Sequence, residues 1–283
     1  MKAGAPHNAR IKPAPDWPFW AGFGVLGGTY LVLIIAMVFA DLAYTSPRHL
    51  AEALASAEIR YAIRLSLISC SVTAVLSLLV GIPLGYLLAR GRFRGRALME
   101  AVLDVPIVLP PLVIGLSLLI LFQVKLGGTS IESLLTRAGL PVTYQIPAVI
   151  LAQFAVSAAF AVRTLRVSFE QINPRAEQVA LTLGCTRAQA FWRVALPEAR
   201  RGVLTAGTLA WARALGEFGP ILVFAGATRM RTEVLSTSVF LELSVGRLEA
   251  AVAVSLLMIA AAVLVLTLMR LFGSDTALHP GRS

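Results

Sequence analysis

Charge is scarce in this chain. Only 14% of its 283 residues are Asp, Glu, Lys or Arg, against roughly a quarter in ordinary soluble domains. Lysine is nearly missing, with Lys2, Lys12 and Lys125 the whole set, and histidine is confined to His7, His49 and His279. Two cysteines, Cys70 and Cys185, cannot build a disulfide framework. Each shortage excludes a function class. There is no Gly-x-x-x-x-Gly-Lys-Ser/Thr phosphate loop, so the chain does not itself cradle ATP in that manner. There is no His-Glu-x-x-His string, and no serine has a credible histidine base. No catalytic residue, no metal ligand and no bound cofactor is expected.

What abounds is apolar. Hydrophobic residues make up 57% of the chain and the mean hydropathy is +0.78, which places it in a membrane. A spanning helix needs about 20 apolar residues, because the hydrocarbon core is roughly 30 Å thick. Charges delimit such runs at 17–40, 65–89, 105–124, 138–162 and 250–269. A sixth, 202–226, is interrupted by Arg213 and Glu217. These lengths fit helices and not barrel strands. The expectation is an all-α integral membrane fold, with one six-helix domain over 17–270 between short tails, 1–16 and 271–283. The first run is too long for a signal-peptide core and lacks a clean cleavage site, so it is expected to be retained.

The formal charge of +10 suggests nucleic acid until the basic residues are placed. Most fall on one side: the N-terminus, the string Arg90-Gly-Arg92-Phe-Arg94-Gly-Arg96, the 163–201 segment and the C-terminus. The positive-inside rule makes those loops, and both termini, cytoplasmic. The excess charge then belongs to a membrane topology and not to a nucleic-acid partner.

The 163–201 segment carries the densest local signals. Asn173-Pro174 starts a helix with a side-chain cap and a proline at the first helical position. Gly184 ends it by permitting a left-handed backbone. Thr186 and Gln189 have capping-box spacing for a second short helix, which Pro197 is expected to stop. An interfacial amphipathic hairpin anchored by Trp192 would read the same way. The motif is more specific. From Glu177 the chain reads Glu-Gln178-Val-Ala180-Leu-Thr-Leu-Gly184, then nine residues, then Val-Ala-Leu196-Pro197. This resembles the EAA motif of ABC importer permeases, from which Gln178 and Val179 depart. The resemblance implies that the 170–200 loop couples the chain to an ATP-hydrolysing partner, through Glu177, Gln178, Ala180, Gly184, Leu196 and Pro197.

Three further strings resemble the sulfate, molybdate and tungstate permeases of the type I class. They are Gly81-Ile-Pro-Leu-Gly-Tyr86-Leu-Leu-Ala-Arg90, Asp104-Val-Pro106-Ile-Val-Leu-Pro110-Pro111, and Arg213-Ala-Leu-Gly216-Glu217-Phe218-Gly219. The chain departs after the last, where Pro220 follows Gly219. The resemblance implies an importer subunit in the bacterial inner membrane, working by alternating access. It implies two ATPase subunits carrying ATP and Mg, a periplasmic or lipoprotein substrate-binding protein, and a second permease copy, as a homodimer. An importer for another substrate is the alternative reading. A secondary transporter would usually show an internal repeat with paired broken helices, and no such repeat is visible.

Arg213 and Glu217 call for explanation whatever the family, because ionisable residues at membrane depth are costly and usually paired. They are four apart, on one helix face. Either they hold the bundle together or they line the translocation path, and the two roles are compatible. Pro110 and Pro111, with Pro106, are expected to kink their span, as a packing feature or as a gate.

Overall fold

The computed structural model describes residues 17–274, so the expected tail 1–16 and all but the first four residues of the expected tail 271–283, which continue the last helix, lie outside the described residues. It divides into two units, Met1–Ser46 and Pro47–Ser283. The first holds α1 (Trp17–Tyr44), long and apolar enough to cross a membrane.

Among the described residues, the regular structure of the second unit is helical apart from one small hairpin. A short α2 (Pro47–Ala55) precedes the long α3 (Ala57–Arg90), whose start is capped by Ser56. Next come α4 (Arg96–Val108) and α5 (Pro111–Gln123). A two-residue β1 (Lys125–Leu126) pairs antiparallel with β2 (Thr129–Ser130). Gly127 and Gly128, both at positive φ, form its turn, as a tight two-residue hairpin requires. There follow α6 (Ile131–Arg137), α7 (Ile146–Gln171), α8 (Pro174–Thr182), α9 (Arg187–Ala190), a π-helical turn (Phe191–Ala195) and α10 (Leu196–Glu198). The unit closes with α11 (Arg200–Leu215), α12 (Gly219–Phe224), α13 (Leu235–Ser244) and α14 (Leu248–Ser274).

Three of the expected spans appear in this unit as single helices. The segment Ala57–Arg90 contains the run 65–89, Ile146–Gln171 takes the place of 138–162, and Leu248–Met269 matches 250–269. The shift in α7 carries Arg163 and Arg166 inside the helix, so the loop expected from 163 begins only after Gln171.

The other two runs are broken. The expected single span over 105–124 is two helices meeting at a 113° bend. A residue before proline is pushed out of the α region. Leu109 and Pro110 both obey, with ψ near 140° and 134°. Two successive prolines therefore make a corner, whereas Pro106 is absorbed within α4. The run 202–226 breaks at 216–218 between α11 and α12. There Pro220 has no N–H to continue the ladder.

The centre of the unit is the packing of α3 against α7 and α11. Glycine makes the first contact close. A Cβ on Gly85 would stand 2.8 Å from Leu165 Cβ and 3.0 Å from the Arg166 backbone nitrogen. Gly85→Ala is therefore expected to lower the melting temperature of the purified protein, at a cost of about 1–3 kcal/mol for overpacking. Gln153 of α7 ties all three helices. It accepts from the Thr73 hydroxyl (3.2 Å) and donates to the Ala214 carbonyl (3.2 Å). That carbonyl sits at the end of α11, where it also accepts from the Glu217 N–H (3.2 Å).

Candidate functional site: a buried ion pair and a tethered helix

The 173–197 element forms for the reasons its sequence suggests. Asn173 accepts from the Arg175 N–H (3.0 Å) and Pro174 opens α8. Gly184 sits at φ +86°, and the Gly184 and Cys185 N–H groups close on the Leu181 and Ala180 carbonyls. Thr186 and Gln189 make the reciprocal capping box. Gly184→Val places a β-branched residue in a left-handed backbone, at about 1–2 kcal/mol or more. The variant is expected to reduce ATP-linked transport; normal transport would remove this turn from the account.

Pro197 does not end the second helix, contrary to expectation. It occupies the first turn of α10, where a missing N–H costs little. Just before it the chain widens into the π turn, with the Leu196 N–H bonded to the Phe191 carbonyl. The Ala199 and Val203 N–H groups then bond to the Ala195 and Ala199 carbonyls. From Arg187 to Leu215 the backbone is helical nearly throughout. At 1.5 Å per residue such a run is about 40 Å long, and it joins the α8–α9 turn directly to Arg213.

Glu177 is turned inward. Its carboxylate accepts from the Tyr86 hydroxyl (2.7 Å) and from Arg90 Nε (3.0 Å), with a second guanidinium contact at 2.9 Å. Arg90 also donates to the Ile172 carbonyl (2.9 Å) at the end of α7. One planar fork thus joins the last turn of α3, the exit of α7 and the start of α8. Phe191 stacks edge-on against Tyr86, with Phe169 behind it. Leu196 packs on this cluster. On the outer side Gln178, Val179, Leu183 and Trp192 are exposed, Leu183 by 80%, while Ala180 is half-buried and Pro197 exposed. The strings containing Tyr86 and Arg90 were visible in the sequence; their pairing with Glu177 was not.

At the end of α11 Arg213 pairs with the fully buried Glu217. The Arg213 guanidinium lies 5.6 Å from the Phe160 ring centre. Gly216 is exposed at the break, and the Glu217 carbonyl accepts from the Ser236 hydroxyl (2.6 Å). Phe218 packs on Phe240. Gly219 is buried against α5, where a Cβ would stand 3.0 Å from the Leu112 nitrogen and 3.2 Å from Pro111 Cβ. Reciprocally, a Cβ on Gly115 would stand 2.8 Å from Pro220 Cα. The two broken segments therefore pack break to break. Of the expected site residues, Pro111 and Gly219 meet in that junction and Pro110 adjoins it in sequence, whereas Gly216, Glu217 and Phe218 form the break itself and face Arg213, Ser236 and Phe240.

A second cluster escaped sequence reasoning. Arg229, in the loop after α12, pairs with Glu58 at the start of α3 and with Glu242 of α13. Burial pushes the nearby Glu233 carboxyl up, against the Ser238 hydroxyl and the Arg229 charge. Tyr61 donates to the Arg231 carbonyl (3.0 Å), tying the same loop to α3.

The comparisons with known proteins agree with this geometry. A sulfate transport system permease protein, CysT of Escherichia coli (strain K12), is 32% identical over 253 residues, covering 88% of this chain and 90% of the relative. A molybdenum transport system permease protein, ModB of Mycobacterium tuberculosis (strain ATCC 25618 / H37Rv), is 35% identical over 257 residues, covering 90% and 94%. In fold, the chain matches the crystal structure of a bacterial alginate ABC transporter in complex with an alginate pentasaccharide-bound periplasmic protein. The TM-score is 0.71 at 19% identity, covering 93% of this chain and 94% of that one. The family model described as "binding-protein-dependent transport system inner membrane component" matches residues 81–277. The chain belongs to that family, as a membrane-spanning permease subunit.

Proposed function

We propose that this chain forms the membrane path of an ATP-driven importer for an oxyanion of the sulfate, molybdate and tungstate group. The observation that carries the coupling half is the tethered α8–Gly184–α9 element. It presents an exposed apolar tip at Leu183 and Trp192, and it is fixed from behind to α3 through Glu177 and Arg90. ATP and Mg belong to two partner ATPase subunits, and a substrate-binding protein delivers the anion to the opposite face. Two permease copies, as a homodimer, match two ATPases.

The mechanism follows from two rigid connections. Closure of the ATPases displaces α8, and the Glu177 fork carries that displacement into α3 and α7. The helical run from Arg187 carries it along α11 to Arg213 and the junction with Pro110 and Pro111. Closure moves the equilibrium only if the partner binds the two states differently. The break-to-break junction is the place where a small shift changes packing. Arg213 offers a positive point at membrane depth to a passing anion, with Glu217 holding it in place. The substrate reading is supported by the names of the relatives. Both termini and the α8–α9 element lie in the cytoplasm of a bacterial inner membrane, by the distribution of arginine.

The coupling assignment is tested with cysteine chemistry that the chain already carries. Cys185 lies in the α8–α9 turn and is partly exposed, whereas Cys70 is buried. Assembly with the co-expressed ATPase is expected to slow maleimide modification of Cys185 by about tenfold or more, as a fully covered group requires. Unchanged modification in a complex that still co-purifies would contradict docking at this turn.

A further inference from the structure

Two adjoining cavities beside the tethered helix have different chemistry. One, of about 540 Å³, lies between the 91–95 loop and α8. Its walls include Arg90, Arg92, Arg96 and Arg187, with Glu177 as its one acidic residue. The other, about 520 Å³, is walled by Pro83, Leu87, Phe191 and the Tyr86 ring. They share Tyr86, Arg90, Gly91 and Arg187, so the apolar groove opens onto the basic cavity. Arg90 and Arg96 are already paired, with Glu177 and with Glu100. Arg92 and Arg187 are exposed and make no ion pair among the described residues.

We infer that this composite is a binding site for an anionic phospholipid, whose phosphate sits between Arg92 and Arg187 while an acyl chain lies along Pro83, Leu87 and Phe191. Charge selects the headgroup: basic pockets at the cytoplasmic ends of spanning helices attract anionic lipid. The groove selects an amphiphile over a free anion, because a small hydrated oxyanion gains nothing from leucine and phenylalanine walls. A lipid so placed would bridge the 91–95 loop to α9, closing the side of the tether that Glu177 leaves open. The site requires neither an ATPase nor transport, so its test is separate from that of the coupling role.

The test is native mass spectrometry of the purified permease after exposure to phosphatidylglycerol or phosphatidylcholine. The wild-type chain is expected to retain phosphatidylglycerol at least about tenfold better, from two guanidiniums at the headgroup. The double variant Arg92→Gln/Arg187→Gln should lose that preference. Leu87→Trp fills the groove without touching charge and should lower retention of phosphatidylglycerol. Equal retention of both lipids by the wild type would overturn the proposal. So would full retention by Leu87→Trp together with displacement by inorganic sulfate, which would make the site a free-anion site. Loss of the lipid on assembly with the ATPase would assign the cavity to a protein partner instead.

Discussion

Arg213→Ala is expected to lower the melting temperature of the solubilised permease sharply and to abolish transport. The Glu217 carboxylate is fully buried, and its ion-pair partner is Arg213. Removing one member of a buried pair typically costs about 3–5 kcal/mol, because the other charge is left without compensation. Arg213→Ala/Glu217→Ala should recover most of the lost stability, since neither charge then remains. It should not recover transport, because the positive point proposed for the path is gone. Glu217→Gln separates the roles further: the amide still fills the site, so the protein is expected to fold and assemble while transport falls. Recovery of transport along with stability in the double variant would reduce the pair to a structural fastening.

The second large effect is expected at Arg90. Arg90→Lys keeps the charge but loses the planar fork that reaches both Glu177 and the Ile172 carbonyl. It should therefore behave like Arg90→Gln, with ATP-linked transport reduced about tenfold or more, the equivalent of 1.4 kcal/mol or more. Tyr86→Phe removes one hydrogen bond to the Glu177 carboxylate. It leaves the ion pair in place, so its effect should be smaller. The readout is the ratio of substrate moved to ATP hydrolysed, which a merely unstable protein would not change selectively. Full transport in Arg90→Gln would show that the tether carries nothing.

These two sites differ in how far the sequence exposes them. Arg213 and Glu217 are legible because an ion pair at helical spacing inside an apolar run has few other uses. The caps of α8 and α9 are equally legible, since Asn173, Gly184, Thr186 and Gln189 act on neighbours within one turn. Contacts between distant parts of the chain are not. Tyr86 and Arg90 lie about ninety residues before Glu177, and no local rule pairs them. The same holds for Arg229 and Glu58, which are 171 residues apart.

Continuity is the other thing that hydropathy misreads. The runs 105–124 and 202–226 are apolar enough to suggest single spans, yet both break at proline, and the breaks pack on each other. The sequence contained the prolines; in 105–124 it is the adjacent pair Pro110 and Pro111 that parts the helix, while in 202–226 the break falls at 216–218, just before the single Pro220. Pro106, alone, stays inside α4, and Pro197 sits in a helix start where the expectation had placed a stop.

The most direct measurement of the central claim is ATP hydrolysis by the permease reconstituted with its ATPase and binding protein, titrated in turn with molybdate, tungstate and sulfate. The account predicts that at least one oxyanion stimulates hydrolysis, and that Arg90→Gln hydrolyses ATP without responding. Hydrolysis indifferent to all three anions in the wild-type complex would contradict the oxyanion reading, and failure to assemble with any ATPase would contradict the coupling role of the α8–α9 turn.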